Sequence, residues 1–242
     1  MGTVFTVRID GEVDPRIVDE VVAWWRAVEA RFSTFVEDSE ISRIGRGELA
    51  PDDAHPDVRH VLATCEEIVD ASGGAFEIRP GRPGGPGLDP AAFVKGWSVD
   101  EAALVLRSAG VDDFILYAGG DVLCSGTPED DDRWRVGIRD PRDRERLAVS
   151  VSVARGAVAT SGTYERGAHV WGPAPGEGFG SVTVLGPSLG IADALATAVF
   201  AGGASQSFGW LAGFPEYAAL VVRDDGGLAT VGGVPAGFEI MA

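Results

Sequence analysis

Gly87-Leu88-Asp89-Pro90-Ala91-Ala92-Phe93-Val94-Lys95-Gly96-Trp97-Ser98-Val99-Asp100 is the stretch around which the chain is organised. It sets a carboxylate and an ammonium six residues apart, then a glycine, then a helical pattern. A Gly/Pro run from Gly81 to Gly87 precedes it and excludes regular structure there. Backbone N–H groups at a helix start beside Lys95 suit an anionic, phosphate-bearing ligand. The same residues also read as a surface loop with a helix cap.

The apolar content, 45% over 242 residues, is enough for a sizeable core. No apolar run approaches 18 residues, so no transmembrane helix is expected. The start, Met1-Gly2-Thr3-Val4-Phe5-Thr6-Val7-Arg8-Ile9, alternates like a strand and lacks the pattern of a signal peptide. With Met1 as the natural start, the expected location is the cytoplasm. A formal charge of −17 argues against nucleic acid and against an anionic membrane surface as partners. Cys65 and Cys124 have no metal-like spacing and read as small core residues.

Outward from the central stretch, the pattern alternates between helices and strands. Asp14-Pro15 opens a helix carrying Val18, Val21, Val22, Trp25 and Val28 to about Arg31. A short helical turn follows at 38–45, and a second helix runs from Pro56 to about Ala71, stopped by Ser72-Gly73-Gly74. A third is expected after Gly96, with Val99, Ala103 and Leu106 inward and Gly110 as its stop. Strands are expected at 3–9, 114–118, 134–139, 147–153, 157–160, 181–185, 219–223 and 228–231. The last two flank the hairpin turn Asp224-Asp225-Gly226-Gly227. Residues 192–201 read as a helix and 205–213 as a short one. Mixed strands and helices with adjacent hairpins predict an α+β fold.

Asp193 and Thr197 lie four apart on the predicted helix and share a face. A carboxylate and a hydroxyl are hard ligands suited to Mg²⁺, which keeps water and borrows phosphate oxygens from a substrate. The pair also reads as a solvated Asp beside a Thr bonded to its own helix. Gly119-Gly120-Asp121 closes a strand, either as a plain turn or as a place where a ligand comes close. His169, near Thr160-Ser161-Gly162-Thr163-Tyr164, is a candidate general base or a structural histidine. His55 and His60 flank a helix start. There is no G-x-S-x-G elbow, no G-K-[ST] phosphate loop and no Cys/His cluster for zinc.

Taken together, the blocks resemble the ApbE family, the FAD:protein FMN transferases. The resemblance rests on Met1-Gly2-Thr3, Phe32-Ser33-Thr34-Phe35, Ser39-Glu40-Ile41-Ser42-Arg43 and Gly73-Gly74-Ala75-Phe76-Glu77. It continues through Asp89, Lys95-Gly96-Trp97-Ser98-Val99-Asp100, Ala118-Gly119-Gly120-Asp121-Val122, Thr160-Ser161-Gly162-Thr163-Tyr164 and His169. Ala192-Asp193-Ala194-Leu195-Ala196-Thr197-Ala198 ends the series, so order and spacing fit over about residues 1–233.

The resemblance implies a single ApbE-type, T-fold-like α+β domain over 1–242, with mixed or antiparallel sheets and packed helices. It implies a Mg²⁺-dependent transferase that cleaves the FAD pyrophosphate, attaches FMN to a Thr or Ser of a target flavoprotein and releases AMP. Its partners would be FAD and an acceptor protein with an FMN-binding domain. It implies that Met1 and Phe35 border the flavin or adenine, that Ala75, Phe76 and Glu77 line the same pocket, and that Asp89 and Lys95 hold FAD. Asp193, Thr197 and a carbonyl near Ala92 would bind Mg²⁺, and His169 would be the base on the acceptor hydroxyl, with Asp193 beside it in the catalytic set. Alternatives are a Mg²⁺-dependent FAD pyrophosphatase giving FMN and AMP, and a non-catalytic FAD-binding protein. The chain departs from the family pattern at Phe35, usually Tyr, at Gly45, usually Asn, at Pro90, and near Tyr117. It departs most after His169, in Val170-Trp171-Gly172-Pro173-Ala174-Pro175-Gly176.

Overall fold

The computed structural model describes residues 3–79, 87–162, 177–204 and 208–241. The larger sheet comprises β1 (Phe5–Ile9), β2 (Phe114–Ala118), β3 (Asp121–Ser125), β6 (Gly156–Gly162), β7 (Phe179–Gly186), β8 (Ala218–Arg223) and β9 (Leu228–Val231). They lie side by side in the order β1-β2-β3-β6-β7-β8-β9, and every pairing is antiparallel. A smaller antiparallel sheet has the order β10-β5-β4, from Phe238–Met241, Asp143–Val153 and Trp134–Asp140.

Strand alternation gives the large sheet two buried faces. Leu116, Ala118, Leu123, Ala157, Ala159, Val182, Val184, Ala219 and Val221 pack with the helices. Ile115, Val122, Cys124, Val158, Leu185 and Leu220 point the other way, onto Trp134, Ile138, Val149, Val151 and Val153 of the small sheet. The order is therefore helices, large sheet, small sheet. Cys65 and Cys124 are buried one on each side, and burial pushes each thiol up to about 12. Both are core residues, as their sequence setting suggests.

Local chemistry fixes the helix starts. Asp14 accepts from the Arg16 N–H, Pro15 opens α1 (Pro15–Phe32), and Val21, Trp25, Val28 and Phe32 form its buried stripe. Ser39 caps the short α2 (Glu40–Gly45). His55 caps α3 (Pro56–Ala71), whose buried stripe is Val58, Val61, Leu62, Cys65 and Ile68.

The central helix α4 runs over Ala91–Ser108, so it starts before Gly96 and not after it. Gly96 is where α4 meets α5 (Leu189–Gly202). A Cβ on Gly96 would fall on the Leu189 carbonyl, and one on Gly190 would lie 2.9 Å from the Trp97 nitrogen. The intrinsic cost of a mid-helix glycine is offset by this close crossing. The Asp100 carboxylate, one turn on, accepts from the Leu189 N–H (2.8 Å), the Gly190 N–H (2.9 Å) and the Ser188 hydroxyl (2.8 Å). Donors that the start of α5 would otherwise leave unsatisfied are thus capped from another helix. On the far side, the Trp24 and Trp25 indoles both donate to the Ser98 carbonyl, and Trp97 stacks edge-on against Trp24 and Phe32.

Three strand features differ from expectation. β3 is buried at every position, so it shows no alternation to read. β5 starts at Asp143, and its first apolar residue, Leu147, is exposed. β10 is a four-residue edge strand.

Two outcomes follow. Gly96→Ala should cost about 2–4 kcal/mol in chemical denaturation, because backbone must move to admit the methyl. Burial pushes the Asp100 carboxyl up to about 6, outweighing its three hydrogen bonds. Between the two values the folded state keeps a proton that the unfolded chain has released, so this group's contribution is full only below the unfolded value of 3.8 and is lost as pH rises through about 6. Melting curves from pH 4.5 to 7 should show wild type losing ground to Asp100→Asn.

Candidate functional site

The α4–α5 crossing brings four elements together around one ammonium. Lys95 precedes Gly96, and Asp193 lies three residues beyond Gly190. The Lys95 Nζ makes an ion pair with Asp121 Oδ2 and lies 3.4 Å from Asp193 Oδ2. The two carboxylates are almost wholly buried, and the lysine side chain is 14% exposed. Asp121 opens β3 after the turn at Gly119 and Gly120, both of which have positive φ. Its other oxygen accepts the Thr160 backbone N–H at 2.8 Å, which fixes the carboxylate on the helix-facing side. Thr197 is one helical turn past Asp193 and its hydroxyl lies 3.3 Å from that of Ser161 on β6.

This set is rich in hard oxygen. α5 is apolar almost all round, and Asp193 is a charged residue among its buried positions. Asp193 and Thr197 share a face, as their spacing predicts. If the Thr197 proton points to Ser161, a lone pair is left for a cation. Ala92 stands in the first turn of α4, three residues before Lys95 and on its side of the helix. Among the described residues no group of three or more His, Cys, Asp or Glu could by itself hold a metal ion. A carboxylate, a hydroxyl and a carbonyl fit Mg²⁺ only if the remaining oxygens come from water and a phosphate ligand.

The other sequence candidates fall around this centre. Asp89 sits just ahead of α4 and accepts from the Ala91 N–H at 3.2 Å. Phe35, in the loop after α1, is 89% exposed, and Val4 and Val36 are exposed too. Ala75 is half-buried and Glu77 is exposed, whereas the Phe76 ring is in the core and its backbone N–H donates to the Ser72 hydroxyl at 3.1 Å. Gly45 lies against Gly87 and Leu88, where a Cβ at 45 would be 3.3 Å from the Leu88 nitrogen. Tyr117 packs against the small-sheet cluster, on the face opposite Lys95. Met1, His169 and the departing segment at 170–176 lie outside the described residues.

The residue the sequence did not single out as a partner is Asp121. Its Gly-Gly-Asp setting marked a close approach but gave no sign of which side chain it meets. Lys95 is also the only lysine in the chain. That count, set beside a buried position, is the signal that points to this ammonium.

The fold has close counterparts. A flavin transferase ApbE from Vibrio cholerae superposes with a TM-score of 0.78 at 23% identity, covering 96% of this chain and 94% of that one. The ApbE protein of Thermotoga maritima gives 0.77 at 21% identity, over 94% and 96%. These likenesses define an ApbE-type flavin-transferase fold. The sequence model of the ApbE family matches residues 1–82 and 81–221, and the chain belongs to that family. Relatives called FAD:protein FMN transferase include one from Treponema pallidum, 34% identical over 159 residues, and one from Rhodobacter capsulatus, 28% identical over 263. The first match covers 57% of this chain and the second 99%. The chain spans under half the length of these relatives, 44% and 46%.

The ion cluster predicts a specific stability pattern. Lys95→Met leaves two buried carboxylates facing each other and should cost about 3–5 kcal/mol. Adding Asp121→Asn should recover most of that loss in urea denaturation.

Proposed function

We propose that this chain is a Mg²⁺-dependent FAD:protein FMN transferase. The observation that carries the reading is the Lys95 ammonium between Asp121 and Asp193, with Thr197 one turn away, in a member of the ApbE family. Asp193, Thr197 and the Ala92 carbonyl would hold the metal, which supplies charge neutralisation at the pyrophosphate. Lys95 binds a pyrophosphate oxygen and steadies the charge that grows as the P–O bond breaks. Asp89 offers an acceptor to N–H or hydroxyl groups of the dinucleotide. Phe35, already exposed, gives a planar apolar surface for a flavin or adenine ring. Ala75, Phe76 and Glu77 would line the same pocket, and Met1, outside the described residues, would border the ring.

In the transfer, the acceptor Thr or Ser oxygen bonds to the flavin-side phosphorus. The bond from that phosphorus to the bridging oxygen breaks, and AMP leaves with that oxygen. The hydroxyl proton goes to His169, the proposed base. The sequence after His169 differs from the family pattern, and this favours one second reading, hydrolysis to FMN and AMP with water in place of the acceptor.

The test is incubation with FAD, Mg²⁺ and an FMN-acceptor domain, followed by mass spectrometry of the acceptor. A gain of one FMN unit on Thr or Ser is expected. Asp193→Ala should lower that rate at least about 100-fold while the protein stays folded. FAD bound, with no gain on any acceptor, overturns transfer. FMN and AMP released without acceptor would establish the hydrolytic reading instead.

A further inference from the structure

We propose that Asp121 is a positioning residue that draws Lys95 away from Asp193, so that Asp193 can take a divalent cation. This rests on the metal-binding reading of Asp193 and Thr197 above. One ammonium faces two carboxylates, from different elements, and pairs more closely with Asp121. Asp121 cannot swing toward a cation freely, because its other oxygen is held by the Thr160 N–H. Asp193 sits on α5, which is fixed by the Gly96–Gly190 crossing and by Asp100. The lysine is the long, flexible partner of the three. Its position is therefore set by whichever carboxylate attracts it more.

Charge decides why that matters. The three groups carry one net negative charge together. A dication makes the cluster net positive by one, and a pyrophosphate with two negative charges returns it to minus one. Without the Asp121 charge, Lys95 and Asp193 would neutralise each other, and an added dication would leave two positive charges in a buried place. Asp193 would then be claimed by an ammonium in competition with the metal. Asp121 thus acts on the metal through Lys95, with no need to touch it.

Asp121→Asn isolates this effect, since its amide oxygen can still accept from Thr160. Mn²⁺ is titrated into the full chain with FAD present, which supplies the phosphate oxygens, and followed by loss of the free-ion EPR signal against an FAD-only blank, with melting curves run alongside. The variant should bind Mn²⁺ at least tenfold more weakly than wild type. Adding Lys95→Met to it should bring Mn²⁺ affinity back to within about threefold of wild type. Wild-type affinity in the single variant, whatever its stability, would show that Asp121 only holds the strand and would overturn the proposal. Weak binding that Lys95→Met does not rescue would show that Asp121 acts directly and would overturn it too. If wild type itself binds no Mn²⁺, the metal reading fails and the proposal falls with it.

Discussion

Two helices cross with only glycine between them, at Gly96 and Gly190. The approach is closer than any side chain permits, and it fixes where everything nearby must sit. Lys95 is the residue before the contact on α4, and Asp193 is the next polar side chain after it on α5. A separation of 3.4 Å between their charged atoms is a direct consequence. Asp100 then caps the start of α5 from α4, and the Trp24 and Trp25 indoles tie α4 to α1 through the Ser98 carbonyl. The centre and the core are therefore one piece of packing. A change that loosens the crossing moves a carboxylate relative to an ammonium, and both are buried, so the electrostatic consequence is large.

Under the proposed FAD reading, an acidic chain must overcome its own field to take a polyanionic substrate. A net charge of −17 repels a dinucleotide at long range, although salt screens this beyond about 8–10 Å. Attraction has to be supplied locally, where water is excluded and screening is weak. In the proposed function the cluster would do this with Lys95 and with Asp193 and Thr197 as oxygen ligands for a cation. Four of the surface arginines are committed to carboxylates of the chain instead. Arg8, Arg16, Arg46 and Arg142 are each paired with a carboxylate two residues away, and those pairs hold Asp10, Asp14, Glu48 and Asp140 below the usual carboxylate range.

Much of this was legible in the residues, and most of the exceptions share a cause. Helices α1 and α3 declared themselves because cap, proline and apolar stripe are all local. Asp193 and Thr197 on one face needed only the helical period. The start of α4 was misplaced because Gly96 reads as a helix breaker until its partner, Gly190, is known. The start of α5 came three residues late, since the carboxylate that caps it, Asp100, is some ninety residues away. β3 lacks both the alternation of a half-buried strand and the β-branched run Val182-Thr183-Val184 that marks the equally buried β7. Asp121 was visible as the end of a Gly-Gly turn, yet its partner is decided by β2–β3 and β3–β6 register. Most of these turn on contacts from far along the chain, whereas the early start of β5 turns on its hairpin with β4, where Asp143 pairs with Asp140.

The single lysine completes the physical account. Nineteen of the chain's twenty basic residues are arginine, so a general need for positive charge is met by guanidinium. Only the buried position keeps an ammonium. A guanidinium is a planar fork suited to one carboxylate approached edge-on. The position of Lys95 asks for something else. Its two carboxylates come from a strand and a helix, and Asp121 already commits one oxygen to the Thr160 N–H. A compact charge on a flexible stem can shift between them and a phosphate oxygen with little rearrangement. On the proposed metal-binding reading, an arginine here would have to break its paired geometry to release Asp193, and its larger head would compete with a cation for room. The chemistry of the site thus selects the residue type, against the preference of the whole chain.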